Sequence, residues 1–462
     1  WSLDSQFDSQ SSSIWPLAFP QVTFTNSCRF NDDDSNYLNK TFSGNGNRRT
    51  FTLSWWFKNM GGNVHMKSGS SGDFFTLDNN SDRLRLNGAD SSVDKFQLIC
   101  NRVFRDPSAW YNFVAAFDTT QSTSSDRVKF YVNGSQVTSF AVENYPTQNY
   151  ETQWGNSSLS HGIGARPDGN HYFDGYMTEI IYVDGQQLTP SSFGLTNPVT
   201  NIWEPRAYTG TYGTNGFKLN FSDSSNLGDD TSGNGNDFTA QNMSSTNQST
   251  DTCSNNFATF NPVVNAAGNN LTLSEGNLKV TSGDNNWNSA IGTIAVNSGK
   301  WYWEVKIVNA TNNYNHGVFS LITGDINDTT NPMNQTGYSG FYNFDGGETR
   351  IDDTVSTSDF GTFAANDILG FYLNADDNQF TIYKNGSSHV SATNLGTGRT
   401  DLVPIAVHYN GGVSDYNFGN SPFSISSGNA DANGYGNFEY SPTIGGVNYY
   451  ALCTKNLAEF GG

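Results

Sequence analysis

Along much of the chain, apolar and polar residues alternate with a period of two, and the runs stop at Gly, Asn and Asp. Phe51-Thr52-Leu53-Ser54-Trp55-Trp56-Phe57 reads as a central strand. Trp110 to Phe117 reads as another, entered from the turn Asp106-Pro107-Ser108. Val128 to Val132 runs into Asn133-Gly134, a pair that tolerates positive φ at both turn positions and so predicts a tight hairpin. A strand from Met177 to Val183 ends at Asp184-Gly185, and Thr189-Pro190 begins a short helical turn. After a polar stretch the pattern resumes. Lys300 to Val305, Gly317 to Leu321, Gly340 to Tyr342 and Asp367 to Leu373 read as strands, as does Phe380 to Tyr383, which leads into a second Asn-Gly corner at Asn385-Gly386. Pro404 to Val407 and Tyr416 to Phe418 complete the set. The fold class predicted is all-β: two antiparallel β-sandwiches in tandem, with an ordered connector.

These signals divide the 462 residues into five parts. Residues 1–20 read as an extended N-terminal arm, 21–203 as the first sandwich, 204–270 as a connector, 271–425 as the second sandwich and 426–462 as a C-terminal tail. The connector is expected to pack between the domains, because Trp203, Phe217, Phe221 and Phe238 need burial. Only 14% of residues are charged, but 14% are aromatic, and rings supply core area that disordered chains lack. A formal charge of −20 without any basic run argues against a nucleic-acid partner. No apolar stretch approaches the ~20 residues that would span a bilayer, so membrane insertion is not expected. The sequence starts at Trp1 with no signal-peptide pattern and reads as trimmed or processed. Cys28, Cys100, Cys253 and Cys453 lack zinc spacing. They read as buried free thiols, with Cys28–Cys100 and Cys253–Cys453 the disulfides that would stay within each half. Asn-x-Ser/Thr triplets occur about as often as this composition gives by chance, so they carry no message about glycosylation.

Three resemblances follow from ordered motifs. Phe51 to Phe57, the Trp110 strand, the Phe130-to-Gly134 hairpin and Phe173-Asp174-Gly175-Tyr176 resemble a laminin-G-like, concanavalin-type jelly roll over residues 21–203. Gly299-Lys300-Trp301-Tyr302-Trp303-Glu304, then Asp367-Ile368-Leu369-Gly370, the Asn385-Gly386 corner and Asn417-Phe418-Gly419 resemble the SPRY domain. The Asn/Asp-rich loop at 323–337 departs from that pattern, so ligand identity does not transfer. The order of first sandwich, Asp230-Thr231-Ser232-Gly233-Asn234-Gly235-Asn236 connector, second sandwich and tail resembles a family of tail-fibre or virion structural proteins of marine bacteriophages. The resemblance implies a non-enzymatic virion surface protein: a fibre, spike or capsid-decorating adhesin. It would bind a host glycan or surface protein, contact other virion proteins, and form a homo-oligomer, by analogy a trimer. A purely structural scaffold and a secreted carbohydrate-active enzyme are the alternatives.

Catalysis finds little support in the residues. Glycoside hydrolysis needs two carboxylates about 5–9.5 Å apart. The strand motif of laminarinase-like enzymes is absent, and the nearest cluster, Glu348-Thr349-Arg350-Ile351-Asp352-Asp353, reads as a solvated loop. Six histidines come without a nucleophile elbow. No cofactor is expected beyond calcium, for which Asp230, Asn234 and Asp237 offer oxygens on a Gly-rich loop, as do Asp32-Asp33-Asp34. The competing reading of the connector trio is Asx-turn chemistry, in which these side chains bond their own backbone. Ligand contact is expected from exposed rings on sandwich-edge loops. The candidates are Tyr314, His316, Tyr338, Phe341 and Tyr342 in the second half, and Trp154, His161, His171 and Tyr172 in the first. Local packing of long loops is the plainer account of each.

Overall fold

The computed structural model describes residues 22–198, 200–262, 270–309, 314–321, 336–342, 347–352, 354–358 and 360–460. The expected arm at 1–20 and most of the 323–337 loop lie outside them. Within them the chain forms antiparallel sheets stacked in two pairs, as the alternation predicts.

The back sheet of the first sandwich runs Ser135–Gln136, Val128–Val132, Trp110–Asp118, Thr50–Gly62, Phe173–Asp184, Ser27–Phe30 and Gln248–Ser249, with Phe217–Leu219 also paired to Phe173–Asp184. The front sheet runs Phe140–Asn144, Val93–Cys100, Arg83–Asp90, Phe74–Asn80, Val64–Ser68, His161–Ile163, Tyr37–Lys40 and Thr239–Gln241. Period-two alternation turns Phe51, Leu53, Trp55 and Phe57 inward from the back and Phe75, Leu77, Leu84, Leu86, Phe96 and Leu98 inward from the front. These rings and branches fill one core. Asn133 and Gly134 take φ of 47° and 77°, the two positive values that a tight hairpin requires. Strands from within 204–262 extend both sheets, and Phe217, Phe221 and Phe238 join the same core.

In the second sandwich one sheet is ordered Leu271–Ser274, Lys279–Ser282, Val413–Asn417, Lys300–Asn309, Ile368–Asn374, Gln379–Lys384 and Ser387–Asn394. The other is ordered Asn288–Ile291, Leu402–His408, Tyr314–Ser320, Tyr338–Tyr342, Glu348–Ile351 and Thr354–Ser358. Trp301, Trp303, Phe371, Phe380, Tyr416 and Phe418 meet between them. The motif residue Glu304 is fully buried and accepts hydrogen bonds from the Tyr302 hydroxyl, the Asn417 amide and the backbone N–H groups of Glu439 and Tyr440 at 2.7–3.0 Å. The tail is thereby fastened to the sheet, where Phe438, Tyr449, Ala451 and Cys453 pack on Tyr302 and Tyr372.

Buried polar contacts join the two sandwiches. Lys58 Nζ lies 2.8 Å from Asp251 and 2.8 Å from Asn256 Oδ1, with both charged side chains sealed from solvent. Trp110 Nε1 donates to the other Asp251 oxygen at 3.0 Å. Arg29 pairs with Glu275 at 3.1 Å and donates to the Ser421 carbonyl, and Tyr176 donates to the Gly276 carbonyl. All four cysteines are free thiols, three of them buried.

A polar groove on the front sheet as candidate functional site

Polar side chains alternate with the core residues on the front sheet, and their outward face forms the floor of a groove of about 390 Å³, within the usual size range of small-ligand sites. Lys67 stands opposite Thr76, and Thr76 opposite Asn87, one row across three strands. Asp78 faces Arg85 in the next row. Phe74, Ala89 and Asp94 complete the floor. The loop Ser70-Ser71-Gly72 and Ser92 make one wall, bound together by Ser92 N–H donating to the Gly72 carbonyl at 2.9 Å. Asn63, Arg166 and His171 make the other, where Val64 N–H donates to the His171 carbonyl. The walls turn a flat sheet face into a concavity. Lys67, Thr76, Asp78 and Asn87 are consequently 4%, 2%, 3% and 6% exposed although they point away from the core.

Some floor groups satisfy one another and some do not. Arg85 forks onto Asp78 through Nε at 2.8 Å and a terminal nitrogen at 2.6 Å, and Thr76 donates to the same carboxylate. The Asn87 amide donates to Asp94 at 3.5 Å, while its Oδ1 is buried without a donor. Arg166 Nε is likewise buried without an acceptor. Lys67 Nζ sits 4.3 Å from the centre of the Phe74 ring. Among the described residues no hydrogen bond or ion pair reaches that ammonium. Burial, assisted by the charge of Arg166, pushes its pKa down to about 8. His171 holds a positive φ of 57° at the rim, and desolvation with the Arg166 and Lys67 charges keeps its ring below the ordinary histidine range.

Of the four first-half residues singled out from sequence, only His171 lines this groove. Tyr172 is half-buried behind the wall, its hydroxyl bonded to the Gly169 carbonyl at 2.6 Å. The expectation that Trp154 and His161 are exposed is corrected. Both are fully buried, Trp154 against Phe75 and Tyr182, and His161 accepts from Gly155 N–H at 3.0 Å. Large rings on a short strand and its approach fill core space there, as the plainer account has it. The same correction applies to His316, Tyr338 and Phe341, which are at most 1% exposed. His316 bonds the Tyr416 hydroxyl, Tyr338 packs with Phe319 and Val403, and Phe341 lies 4.5 Å from Phe363. Tyr314 and Tyr342 lie on strands, and their side chains lie outside the described residues.

The other candidates are tied up locally. Glu348 bonds Arg350, whereas Asp352 bonds Arg399 and accepts from Gly337 N–H at 2.7 Å, so each carboxylate serves a separate ion pair. Asp230 accepts from the N–H groups of Lys218, Ser232 and Asn236, Asp237 accepts from Asp230 N–H, and Asn234 donates to the Gly213 and Gly216 carbonyls. That is the Asx-turn pattern. Asp32, Asp33 and Asp34 are exposed on a turn. Among the described residues no three His, Cys, Asp or Glu side chains gather in a metal-holding geometry.

None of Lys67, Phe74, Thr76, Asp78, Arg85, Asn87, Asp94 or Arg166 stands out as a site residue in the sequence. Their one legible signal is the alternation in Phe74-Phe75-Thr76-Leu77-Asp78 and Arg83-Leu84-Arg85-Leu86-Asn87. It marks an outward face without saying that loops will enclose it.

With the geometry in hand, residues 31–191 match the Laminin_G_3 family, described as the concanavalin A-like lectin/glucanases superfamily. The laminin-G-like resemblance is borne out over that span, which contains every residue lining the groove. Among solved structures, the SPRY domain of human HERC1 is similar at 17% identity, covering 34% of this chain and 96% of that one with a TM-score of 0.29. The PSpry domain of TRIM65 is similar at 16% identity, covering 35% and 88% with a TM-score of 0.29. A heptameric SAP-like pentraxin from Limulus polyphemus is similar at 16% identity, covering 36% and 80% with a TM-score of 0.27. No curated protein matches the chain. The chain is a tandem of antiparallel β-sandwiches whose first member carries a concanavalin-like domain.

Proposed function

We propose that this chain is a non-enzymatic recognition protein that binds a glycan in the front-sheet groove of its first sandwich. The observation that carries this reading is a polar floor sunk below the surface and left partly unsatisfied. Among the described residues, Asn87 Oδ1 and Arg166 Nε have no partners, and the Lys67 ammonium has only a ring. Leaving such groups buried costs free energy. The hydroxyls of a sugar can bond them, and Phe74 offers an apolar surface at the same floor. A purely structural scaffold leaves those atoms without a role. The Arg85 fork holds Asp78 as an ion-pair partner, which favours binding over carboxylate catalysis. The family description over residues 31–191 includes lectins, which agrees with this reading.

The setting we propose is the surface of a virus particle, with the chain held by other virion proteins and directed at a host glycan. Support comes from the motif order along the sequence. Repeated copies on a particle raise avidity without new contacts, so a weak single site suffices.

The test is a glycan array probed with the full chain displayed multivalently, followed by calorimetry on the hits. Phe74→Ala and Asn87→Ala should each weaken binding at least tenfold, about 1.4 kcal/mol. Silence across the array, or affinities unmoved by both substitutions, contradicts the proposal.

A further inference from the structure

The groove holds two cations that its carboxylates reach only at a distance. Arg85 is neutralised by Asp78 at 2.6–2.8 Å, but among the described residues Lys67 has no hydrogen-bond acceptor and Arg166 has a buried Nε without one. Lys67 is 4% exposed and lines the floor, and Arg166 lines the wall beside it. A lysine ammonium brings three donors, and at 4% exposure of the residue little water reaches them. A second positive group close by adds repulsion. A protein of net charge −20 has ample carboxylates with which to pair these two, yet the floor residues beside Lys67 are Thr76 and Phe74. Asp94 stands with Asn87, across the floor.

Resting on the glycan reading above, we infer that the groove selects acidic sugars, seating a carboxylate or sulfate group between Lys67 and Arg166. One anionic group supplies acceptors for the Lys67 ammonium and the Arg166 guanidinium together and removes their mutual repulsion. The protein's overall negative field opposes an anion at long range, but it is screened over about 8 Å at physiological ionic strength, which leaves the local pair in control. The groups facing Lys67 are Arg166, Asp78, Asp168, Arg85 and His171. Desolvation and the neighbouring positive charges hold His171 below the ordinary histidine range, so its ring is neutral above pH 7. The Lys67 ammonium changes charge between pH 7 and 10. As pH rises through about 8, Lys67 loses its proton and the preference for acid should fade.

The experiment measures binding to the full chain by calorimetry with matched sugars: an oligogalacturonate against its methyl ester, and a sulfated galactan oligosaccharide against its desulfated form. At pH 7 the acidic member of at least one pair should bind at least tenfold more tightly. Which pair shows the gap tells carboxylate from sulfate. Lys67→Met should bring the acidic and neutral members of that pair to equal affinity, and at pH 10 the parent should behave like the variant. Equal affinity within both pairs overturns the acidic preference and leaves glycan binding standing, as does a gap that survives Lys67→Met or pH 10. Failure of all four sugars, when the array also finds no ligand, overturns both readings.

Discussion

Single residues in this protein are most informative where charge is buried. Asp174 lies on the strand paired with Ser27–Phe30, with one carboxylate oxygen buried and, among the described residues, unpaired. Desolvation, then the charges of Asp32, Asp33 and Glu275, push its pKa up to about 8 against the pull of Arg29. The folded chain therefore keeps a proton that the unfolded chain releases near pH 4. For a raised pKa of this kind, the stability is complete below the unfolded value and drains away as pH climbs to the folded value. Asp174→Asn removes that drain. The variant should match the parent near pH 4 and exceed it by several kcal/mol at pH 8, with about 5 the linkage limit, read from urea unfolding at both values. A constant difference across that range contradicts the assignment. Lys67 is the opposite case, an ammonium at a groove floor that among the described residues meets only the Phe74 ring.

At the scale of strands and turns, most of the architecture is legible in the sequence because local rules and tertiary demands coincide. Phe51 to Phe57 alternates and is central, and Asn133-Gly134 takes the two positive φ values that its composition predicts. Asn385-Gly386, at 50° and 76°, does the same in the second sandwich. The candidate site was legible only in part, for a definite reason. Aromatic residues in Gly/Asn-rich stretches read as exposed loop rings, yet Trp154 and His161 plug a core that the same stretches cross. Composition reports which side chains could bind, and burial decides which can. The groove residues were missed for the opposite reason. Thr76, Asp78, Arg85 and Asn87 look like any solvated strand face, and only the walls at Ser70–Gly72 and Arg166–His171, distant in sequence, turn that face into a pocket. The carboxylate fork of Asp78 and Arg85 depends on a register set by the hairpin between them, which periodicity alone does not fix.

For the whole molecule the question is how two sandwiches come to hold one another. The Lys58–Asp251 pair, fully buried and backed by Trp110 and Asn256, links the back sheet of the first to the segment that leads into the second. Attraction in such a pair only offsets the cost of desolvating it, but removing one partner strands the other. Asp251→Ala should lower the unfolding free energy by about 3–5 kcal/mol, whereas Lys58→Met with Asp251→Leu should recover most of that loss, both read by chemical denaturation. A single substitution costing under about 1 kcal/mol would show the joint to be incidental. Arg29, buried between Glu275 and the Ser421 carbonyl, works at the same seam. The seam is built from back-sheet residues of the first sandwich, Lys58, Trp110, Arg29 and Tyr176, and leaves the front sheet with its groove out of the joint.

The most direct measurement is hydrogen–deuterium exchange on the full chain with and without a saturating glycan drawn from the array. The account predicts protection concentrated on Phe74–Asn80 and Arg83–Asp90, together with the Arg166–His171 wall. Protection confined to the second sandwich, with those strands unchanged, would contradict it.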